Sequence, residues 1–432
     1  MEPRLQRRYE QLVKQHLANT DEVAAGLRAL PTTAGSFAAA QAAWRFYRNP
    51  RVSLAQLAEP IRASARQAVA TDCEQFALAV HDWSGLSFNH HRSKADRTVL
   101  HHPQELGYEL QTVLVLSDRT GRPLAPVYQG VRAADGVHST RSEKLLPRRA
   151  HLDEVGLTMQ HVEGLGLGKK VVHVIDCEAD SVLHLRRWHR KKYAFVVRAD
   201  QVRRVLFEGR DVRLDEVLAA LQDQFHFSRE VEFKGRQTKQ YVAETVVTLH
   251  RYAKLHRVRN GRRVRKYVKG KPLTVRLVVS EVRDEMGQVL ARWLLWTNLA
   301  EVRAETIALW YYWRWRIESY FKLLKSAGQH VEPWQQETAE AMAKRLLVAA
   351  QACVVVWTLA RSNEPEAEPA RALLVRLSGR LMKRKKPFTE PALLAGLWVL
   401  LAMLDALDRY SVAEIKQMAA FILPAPRPCD SS

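Results

Sequence analysis

The sequence predicts an α/β fold in which helices flank a mixed β-sheet, and two patterns carry this prediction. Residues 76–80, 108–116 and 124–130 are strand-like apolar runs, and segment 117–122 between the last two has the Asp and Gly of a hairpin turn. From residue 151 a helix at 151–165, a buried strand at 171–175, a helix at 181–191 and a strand at 193–198 follow one another. Antiparallel strands followed by alternating helices and strands predict a mixed sheet.

Helical patterns occupy both ends of the chain. Residues 1–70 combine helical spacing, as at Leu5, Tyr9 and Leu12, with an Ala-rich stretch, and they predict a small helical module. The alternative is a helical cap that only covers the sheet. The region from 339 to 432 is also predicted to be mostly helical, and its apolar run at 391–404 is expected to be a buried helix because it is too short for a membrane span.

A segment of different texture lies between about 200 and 290. Short β-branched runs at 241–249 and 273–282 predict strands, and Asn260-Gly261 stands between two basic arms. Asn-Gly between strand-like arms is a strong hairpin signal. The segment therefore predicts a β-rich stretch between the two helical ends of the chain.

The charge balance favours a polyanionic partner. The 432 residues carry 67 Lys and Arg against 46 Asp and Glu, a formal net charge of +21, and 47% are apolar, which excludes disorder as the main state. DNA, RNA and an anionic membrane remain open on charge alone. The four cysteines form no Cys-x-x-Cys pair, so neither a zinc site nor a disulfide framework is indicated, and a cytoplasmic location is expected.

One predicted helix near residues 311–325 carries a polar stripe. At about 100° per residue, five of its charged or phenolic side chains fall on one side of the axis, and they are Tyr311, Arg314, Glu318, Lys322 and Lys325. A helix that only packed against a core would carry Leu or Ile there. The stripe suits a phosphodiester and a divalent metal, and the alternative is a solvated face stabilised by i,i+4 ion pairs.

The stripe reads Y-(2)-R-(3)-E-(6)-K, and with it the chain resembles the bacterial insertion-sequence transposases of the DDE, RNase H-like class that carry the YREK signature, the Tn-five type. The resemblance implies a catalytic domain at 71–338 in which residues 200–290 are a β-rich insertion. The run from Phe76 to Phe88, which contains Asp82, resembles the first catalytic strand of that family. The run from Val171 to Asp180 resembles the second, with Cys177 in place of the usual Arg. The resemblance implies an RNase H-like fold.

The resemblance also implies a catalytic triad, Asp82, Asp176 and Glu318, that holds two divalent metal ions, either Mg²⁺ or Mn²⁺. Hard cations prefer oxygen ligands, so converging carboxylates suffice. Asp180 and Glu178 are alternatives to Asp176, which is preferred because it directly follows the apolar strand.

Further positions are implied to bind DNA. Those expected to hold the phosphate next to the cleaved bond are Tyr311, Arg314, Lys322, Lys325 and Arg198. Trp293 is expected to hold an extruded base, because a flipped base needs an aromatic partner. The alternatives are a surface cation at Arg198 and a core tryptophan at Trp293.

The resemblance implies cut-and-paste DNA transposition by nicking, hairpin formation, hairpin opening and strand transfer. It implies that residues 1–70 bind the transposon ends, although this module is shorter than usual, and that residues 339–432 dimerise on double-stranded DNA. No membrane partner is expected. A metal-dependent endonuclease or resolvase without strand transfer and a DNA-binding regulator without cleavage are the alternatives.

Overall fold

The computed structural model describes residues 1–17, 33–259, 262–382 and 386–422, and within them the fold class is α/β. The helices are α1 (Pro3–Leu17), α2 (Thr33–Arg48), α3 (Leu54–Asp72), α4 (His151–Glu163), α5 (Val182–Arg190), α6 (Leu214–Ala220), α7 (Ala304–Trp313), α8 (Arg316–Leu324), α9 (Ala339–Arg361), α10 (Ala367–Leu377), α11 (Glu390–Leu407) and α12 (Val412–Ile422).

The strands alternate with the helices only in the middle of the chain. They are β1 (Phe76–Ser87), β2 (Thr98–Val99), β3 (Leu106–Ser117), β4 (Pro123–Arg132), β5 (Val137–Ser139), β6 (Ser142–Leu146), β7 (Lys170–Ile175), β8 (Ala194–Arg198), β9 (Arg204–Phe207), β10 (Arg210–Arg213), β11 (His226–Phe233), β12 (Arg236–Leu249), β13 (Ala253–Arg259), β14 (Arg262–Val268), β15 (Leu273–Arg283) and β16 (Val289–Thr297).

The chain divides into two compact units. One combines residues 1–46, 322–335 and 351–432, and the other combines residues 47–321 and 336–350. The second unit contains every strand named above, together with α3 to α7. Because neither unit is continuous in sequence, the units do not follow the boundaries at 70 and 338, and the functions expected of those three regions stay predictions.

A mixed sheet forms the centre of the second unit. Its strand order is β10-β9-β12-β15-β16-β8-β7-β1-β3-β4-β5-β6, with β11 paired to β12 and β2 paired to β3. The neighbours β1, β7 and β8 run parallel, whereas β3 and β4 run antiparallel to their partners. The expected mixed sheet flanked by helices is therefore confirmed, including the hairpin turn after β3.

The hairpin turn after β3 fixes the start of β1. The carboxylate of Asp118 accepts the backbone N–H groups of Glu74 at 2.8 Å and of Gln75 and Phe76 at 2.9 Å. The Asp118 carbonyl accepts the indole N–H of Trp310 in α7 at 3.3 Å, and the Trp310 ring packs edge-on against Phe76. One turn residue thus holds both the first strand and a distant helix.

Helices α4, α5 and α6 cover one face of this sheet. Their apolar side chains, such as Met159, Leu185 and Val217, share a buried cluster with strand residues that include Phe195 and Trp296. Burial at roughly 25 cal/mol per Å² of apolar surface makes this cluster a main source of stability for the unit.

The insertion is β-rich, as the sequence predicts. Strands β12, β15 and β16 form an antiparallel meander that joins β8 at the sheet centre. The two basic arms are the paired strands β13 and β14, and the Asn260-Gly261 turn between them lies outside the described residues.

The apolar run at 391–404 is helical, but the expectation that it is buried is wrong. Helices α9 and α11 are each long and apolar enough to cross a membrane, yet 78% of the apolar window of α9 is buried against 28% of that of α11. In α11 the buried residues lie at its start, where Leu393 and Leu394 pack on Leu374 of α10. Because α11 is apolar on all sides, its composition cannot show that only its first turns are covered.

Candidate active site

The two candidate aspartates lie on neighbouring parallel strands. The register of β1 and β7 ends at the pair Val80 and Val174, and β7 itself stops at Ile175. Asp176 follows at once and begins a short 3-10 turn. The expected position of Asp82 at a strand end differs from the observed one, because β1 continues for five residues beyond Asp82. At Asp82, however, β1 no longer pairs with β7. Both carboxylates therefore leave the sheet at one place.

The helix that carries the polar stripe is broken, which corrects the expectation of one continuous helix. Helix α7 ends at Trp313, Arg314 lies in the break, and α8 begins at Arg316. Glu318 occupies the first turn of α8. The Arg314 side chain is only 9% exposed and contacts Asp82.

The guanidinium of Arg314 joins the two aspartates. Its Nη1 donates to Oδ2 of Asp82 at 2.8 Å, and its Nη2 lies 3.2 Å from Oδ2 of Asp176. Arg314 is charged in any state of the protein, so it neutralises part of the negative charge that these carboxylates bring together.

Asp176 has further donors around it. Its Oδ1 accepts the Cys177 backbone N–H at 2.6 Å, the Tyr311 hydroxyl at 3.2 Å and Arg198 Nη1 at 3.4 Å. Burial opposes its ionisation, but Arg314 and these donors outweigh burial and lower the pKa of Asp176. Asp176 is therefore a carboxylate at neutral pH.

Asp82 has the opposite balance. Burial raises the pKa of Asp82 to about 6, even though Arg314 and the Trp83 backbone N–H both favour its ionised form. The nearby carboxylates of Glu318 and Glu178 add to the increase. Desolvation is thus the dominant influence on Asp82, and Arg314 offsets only part of it.

Asp180 has a different environment from Asp176. Its side chain is only 1% exposed, and it accepts the Trp296 indole N–H at 3.1 Å, the Asp200 backbone N–H at 2.8 Å and Arg203 Nε at 3.0 Å. These hydrogen bonds give Asp180 a structural role inside the fold. Asp176, which meets Arg314, is the acid next to Asp82.

The two tryptophans of β16, Trp293 and Trp296, have different environments. The Trp293 ring is partly buried, 5.8 Å from the Tyr311 ring and 6.2 Å from the Phe233 ring. Trp296 is fully buried in the core. Trp293 is therefore placed beside the polar site, whereas its neighbour is a core tryptophan.

The two lysine candidates fall in the other compact unit. Lys322 lies one helical turn after Glu318 in α8 and is exposed, and Lys325 follows the end of α8 and is partly exposed. The site contacts described above come from Asp82, Asp176, Tyr311 and Arg314, together with Arg198.

The sequence analysis missed a cluster next to Asp82. The Trp83 ring stacks on His151 with centroids 4.2 Å apart, and His151 contacts Glu109 at 3.2 Å and Glu178 at 3.8 Å. Hydrogen bonds that the ring donates to these two carboxylates raise the pKa of His151 to about 9, so the ring carries a charge at neutral pH. Its position at the start of a predicted helix gave no signal for this contact.

A second acidic group lies elsewhere in the same unit. Ligand atoms of Asp96, Asp135 and His138 come within 4.8 Å of one another. Asp96 already accepts the Tyr108 hydroxyl and the backbone N–H of Ala339, so it serves the fold.

The candidate triad fits a divalent metal by its donor chemistry. Asp82, Asp176 and Glu318 offer only carboxylate oxygens, which Mg²⁺ and Mn²⁺ prefer. The carboxylates of Asp82 and Asp176 converge closely enough for one guanidinium to contact both, at 2.8 and 3.2 Å. A cation bound here would share the two aspartates with Arg314.

Comparison with known proteins gives little. No protein-family model matches the chain, and no curated protein matches it. Among solved structures, the piggyBac transposase in its cryo-EM synaptic complex with hairpin DNA is similar with a TM-score of 0.34 and 9% identity, over 83% of this chain and 59% of that chain. The chain thus spans less than two thirds of that protein, and its function is argued from the site itself.

Proposed function

We propose that the protein is a metal-dependent DNA transposase that works by cut and paste. The observation that carries the proposal is the Arg314 bridge between Asp82 and Asp176, with Glu318 in the helix that follows at once. These residues come from three motifs far apart in sequence, and each motif had been assigned to the same catalytic centre.

In this proposal Asp82, Asp176 and Glu318 hold two Mg²⁺ or Mn²⁺ ions. Such a pair of ions activates a hydroxyl, offsets charge at the phosphorus and stabilises the departing 3′ oxygen. The same site serves nicking, attack of the free 3′-hydroxyl to give a hairpin, hairpin opening and transfer into target DNA.

The neighbouring side chains bind the DNA phosphate. Arg314 has a planar guanidinium that can hold a phosphate through two N–H groups, and Arg198 adds a second guanidinium on the Asp176 side. Tyr311 keeps its proton because burial raises its pKa, so its hydroxyl remains a donor. Lys322 and Lys325 supply point charges, and Trp293 stacks on an extruded base.

The proposed partners follow from the reaction. The protein acts on double-stranded DNA, both the element ends and the target, and two ends cut together require a homodimer on DNA, with the C-terminal helices as the contact. A cytoplasmic location belongs to this proposal.

The test is cleavage of the DNA that flanks the protein's own gene, in the presence of Mg²⁺. We expect Asp82→Ala, Asp176→Ala and Glu318→Ala each to abolish cleavage and to leave end binding nearly intact, because each change removes a metal ligand and leaves the basic surface. Asp180→Asn is the matched control, since it keeps an oxygen for Trp296, and it should still cut.

The outcomes separate the alternatives. Cleavage without strand transfer would indicate an endonuclease or resolvase, and end binding without cleavage would indicate a regulator. Cleavage by Asp176→Ala but not by Asp180→Asn would show that the second acid is Asp180.

A further inference from the structure

Two buried histidines connect the strands that lead to Asp82 and Asp176. His81 in β1 and His173 in β7 are 1% and 0% exposed, and Nε2 of His81 lies 2.8 Å from Nδ1 of His173. Nε2 of His173 lies 3.2 Å from the carboxylate of Glu163, the last residue of α4. No other element of the proposed site uses these rings.

The hydrogen bonds fix where the protons are. Burial lowers the pKa of both rings, so each imidazole is neutral and carries one N–H. Because Glu163 accepts from Nε2 of His173, Nδ1 of His173 has no proton and accepts from Nε2 of His81. The two rings therefore form a directed chain from β1 through β7 to α4.

The pair lies where the backbone ladder ends. The last paired residues of β1 and β7 are Val80 and Val174, so His81 already lies beyond the ladder, and Asp82 follows it directly. On the β7 side, Asp176 is three residues after His173. The imidazole bond is therefore a cross-strand tie next to both candidate acids, on the face of the sheet opposite Asp82.

We propose that His81 and His173 are a positioning pair that sets the separation of Asp82 and Asp176 for metal binding. This inference rests on the proposed function. Neither ring touches the DNA or the metal. Their bond limits the relative movement of β1 and β7 beyond their last paired residues, where β1 remains paired with β3 but no longer with β7. Residues that orient metal ligands typically change metal affinity by about 10- to 100-fold when altered.

The test measures Mn²⁺ binding by calorimetry in the full-length protein, together with the Mn²⁺ concentration that gives half-maximal DNA cleavage. His81→Leu and His173→Leu remove the bond with little change in volume. We expect each to weaken Mn²⁺ binding by at least about 10-fold with DNA end binding unchanged. His81→Gln retains an N–H donor for His173 and should restore most of the affinity.

The control for a merely structural effect is Thr238→Val. It removes another buried cross-strand hydrogen bond, from the Thr238 hydroxyl to the Val231 carbonyl at 2.8 Å, in strands that carry none of the candidate acids. At a matched loss of melting temperature, Thr238→Val should leave Mn²⁺ affinity unchanged.

Two results would overturn the inference alone. One is Mn²⁺ affinity within twofold of the parent in a folded leucine variant, and the other is an equal loss of affinity in Thr238→Val. Failure of both leucine variants to fold would also count against it, since the pair would then serve folding. A parent protein that neither binds Mn²⁺ nor cuts DNA would instead refute the proposed function.

Discussion

Neutralising Asp82 should stabilise the metal-free protein, whereas neutralising Asp176 should destabilise it. Burial raises the pKa of Asp82 from an ordinary value of 3.8 to about 6, so its ionisation costs about 3 kcal/mol more in the folded chain than in the unfolded chain. Asp82→Asn removes that cost. The carboxylate is 17% exposed and Arg314 loses a charged partner, so we expect a net gain of about 1 to 2 kcal/mol.

The size of each stability change depends on pH within a defined range. Below about pH 4 Asp82 is protonated in both states, so parent and Asp82→Asn should unfold alike. The advantage of the variant should appear as pH rises from about 4 to about 6 and then stay constant. Asp176 has a lowered pKa, so Asp176→Asn should lose stability above about pH 4 and match the parent at lower pH.

The assay is thermal unfolding of the three proteins in chelator at pH 4 and pH 7.5, repeated with Mg²⁺. A change of 1 to 2 kcal/mol corresponds to a shift of a few degrees in melting temperature. With Mg²⁺ the order of parent and Asp82→Asn should reverse, because only the parent has the full ligand set. Asp82→Asn less stable than the parent in chelator at pH 7.5 would refute the inference that burial outweighs the Arg314 contact at Asp82.

Two other predictions concern DNA contacts. Changing Arg262, Arg263 and Arg265 of β14 to Gln should weaken binding equally on cognate and unrelated DNA. The change should also flatten the salt dependence of binding by about one unit of slope per lost phosphate contact. An unchanged slope would show that this strand is solvated. Trp293→Ala should permit the first nick but slow hairpin formation by roughly 5- to 150-fold, since base stacking is worth about 1 to 3 kcal/mol. Equal slowing of both steps with a lower melting temperature would instead indicate a core tryptophan.

Much of the fold follows from local patterns. The runs at 76–80, 108–116 and 171–175 are strands in the structure, and the segment at 151–165 is a helix that ends two residues earlier. These elements have one buried face or two, so burial imposes a period that the sequence displays.

The features that local sequence patterns did not predict involve tertiary contacts. The break at Arg314 cannot be read from residues that are all compatible with a helix, and the contacts of Arg314 with Asp82 and Asp176 join residues far apart in sequence. In the same way, nothing local indicates that β1 continues past Asp82, since its antiparallel partner β3 extends the ladder there. Of the stripe, Tyr311 and Arg314 both reach Asp176, and their binding to a DNA phosphate stays a prediction.

Asp180 and His81 show a further limit. Both are polar residues close in sequence to a predicted acid. Asp180 accepts a hydrogen bond from Trp296 inside the fold, whereas His81 contacts a histidine on the neighbouring strand. Sequence spacing gives the neighbours of such residues along the chain, whereas their roles depend on partners about 90 to 120 residues away.

The hairpin turn after β3 has a practical consequence for anyone who engineers this protein. With its polar residues and glycine, the turn is the kind of surface loop usually chosen for an affinity tag or a fluorophore. Here Asp118 holds the first backbone N–H groups of β1 and the indole of Trp310, and Gly121, at φ 64°, lies so close to the Trp313 ring that a Cβ would overlap it. A label in this turn would therefore displace α7 and, one residue beyond it, Arg314.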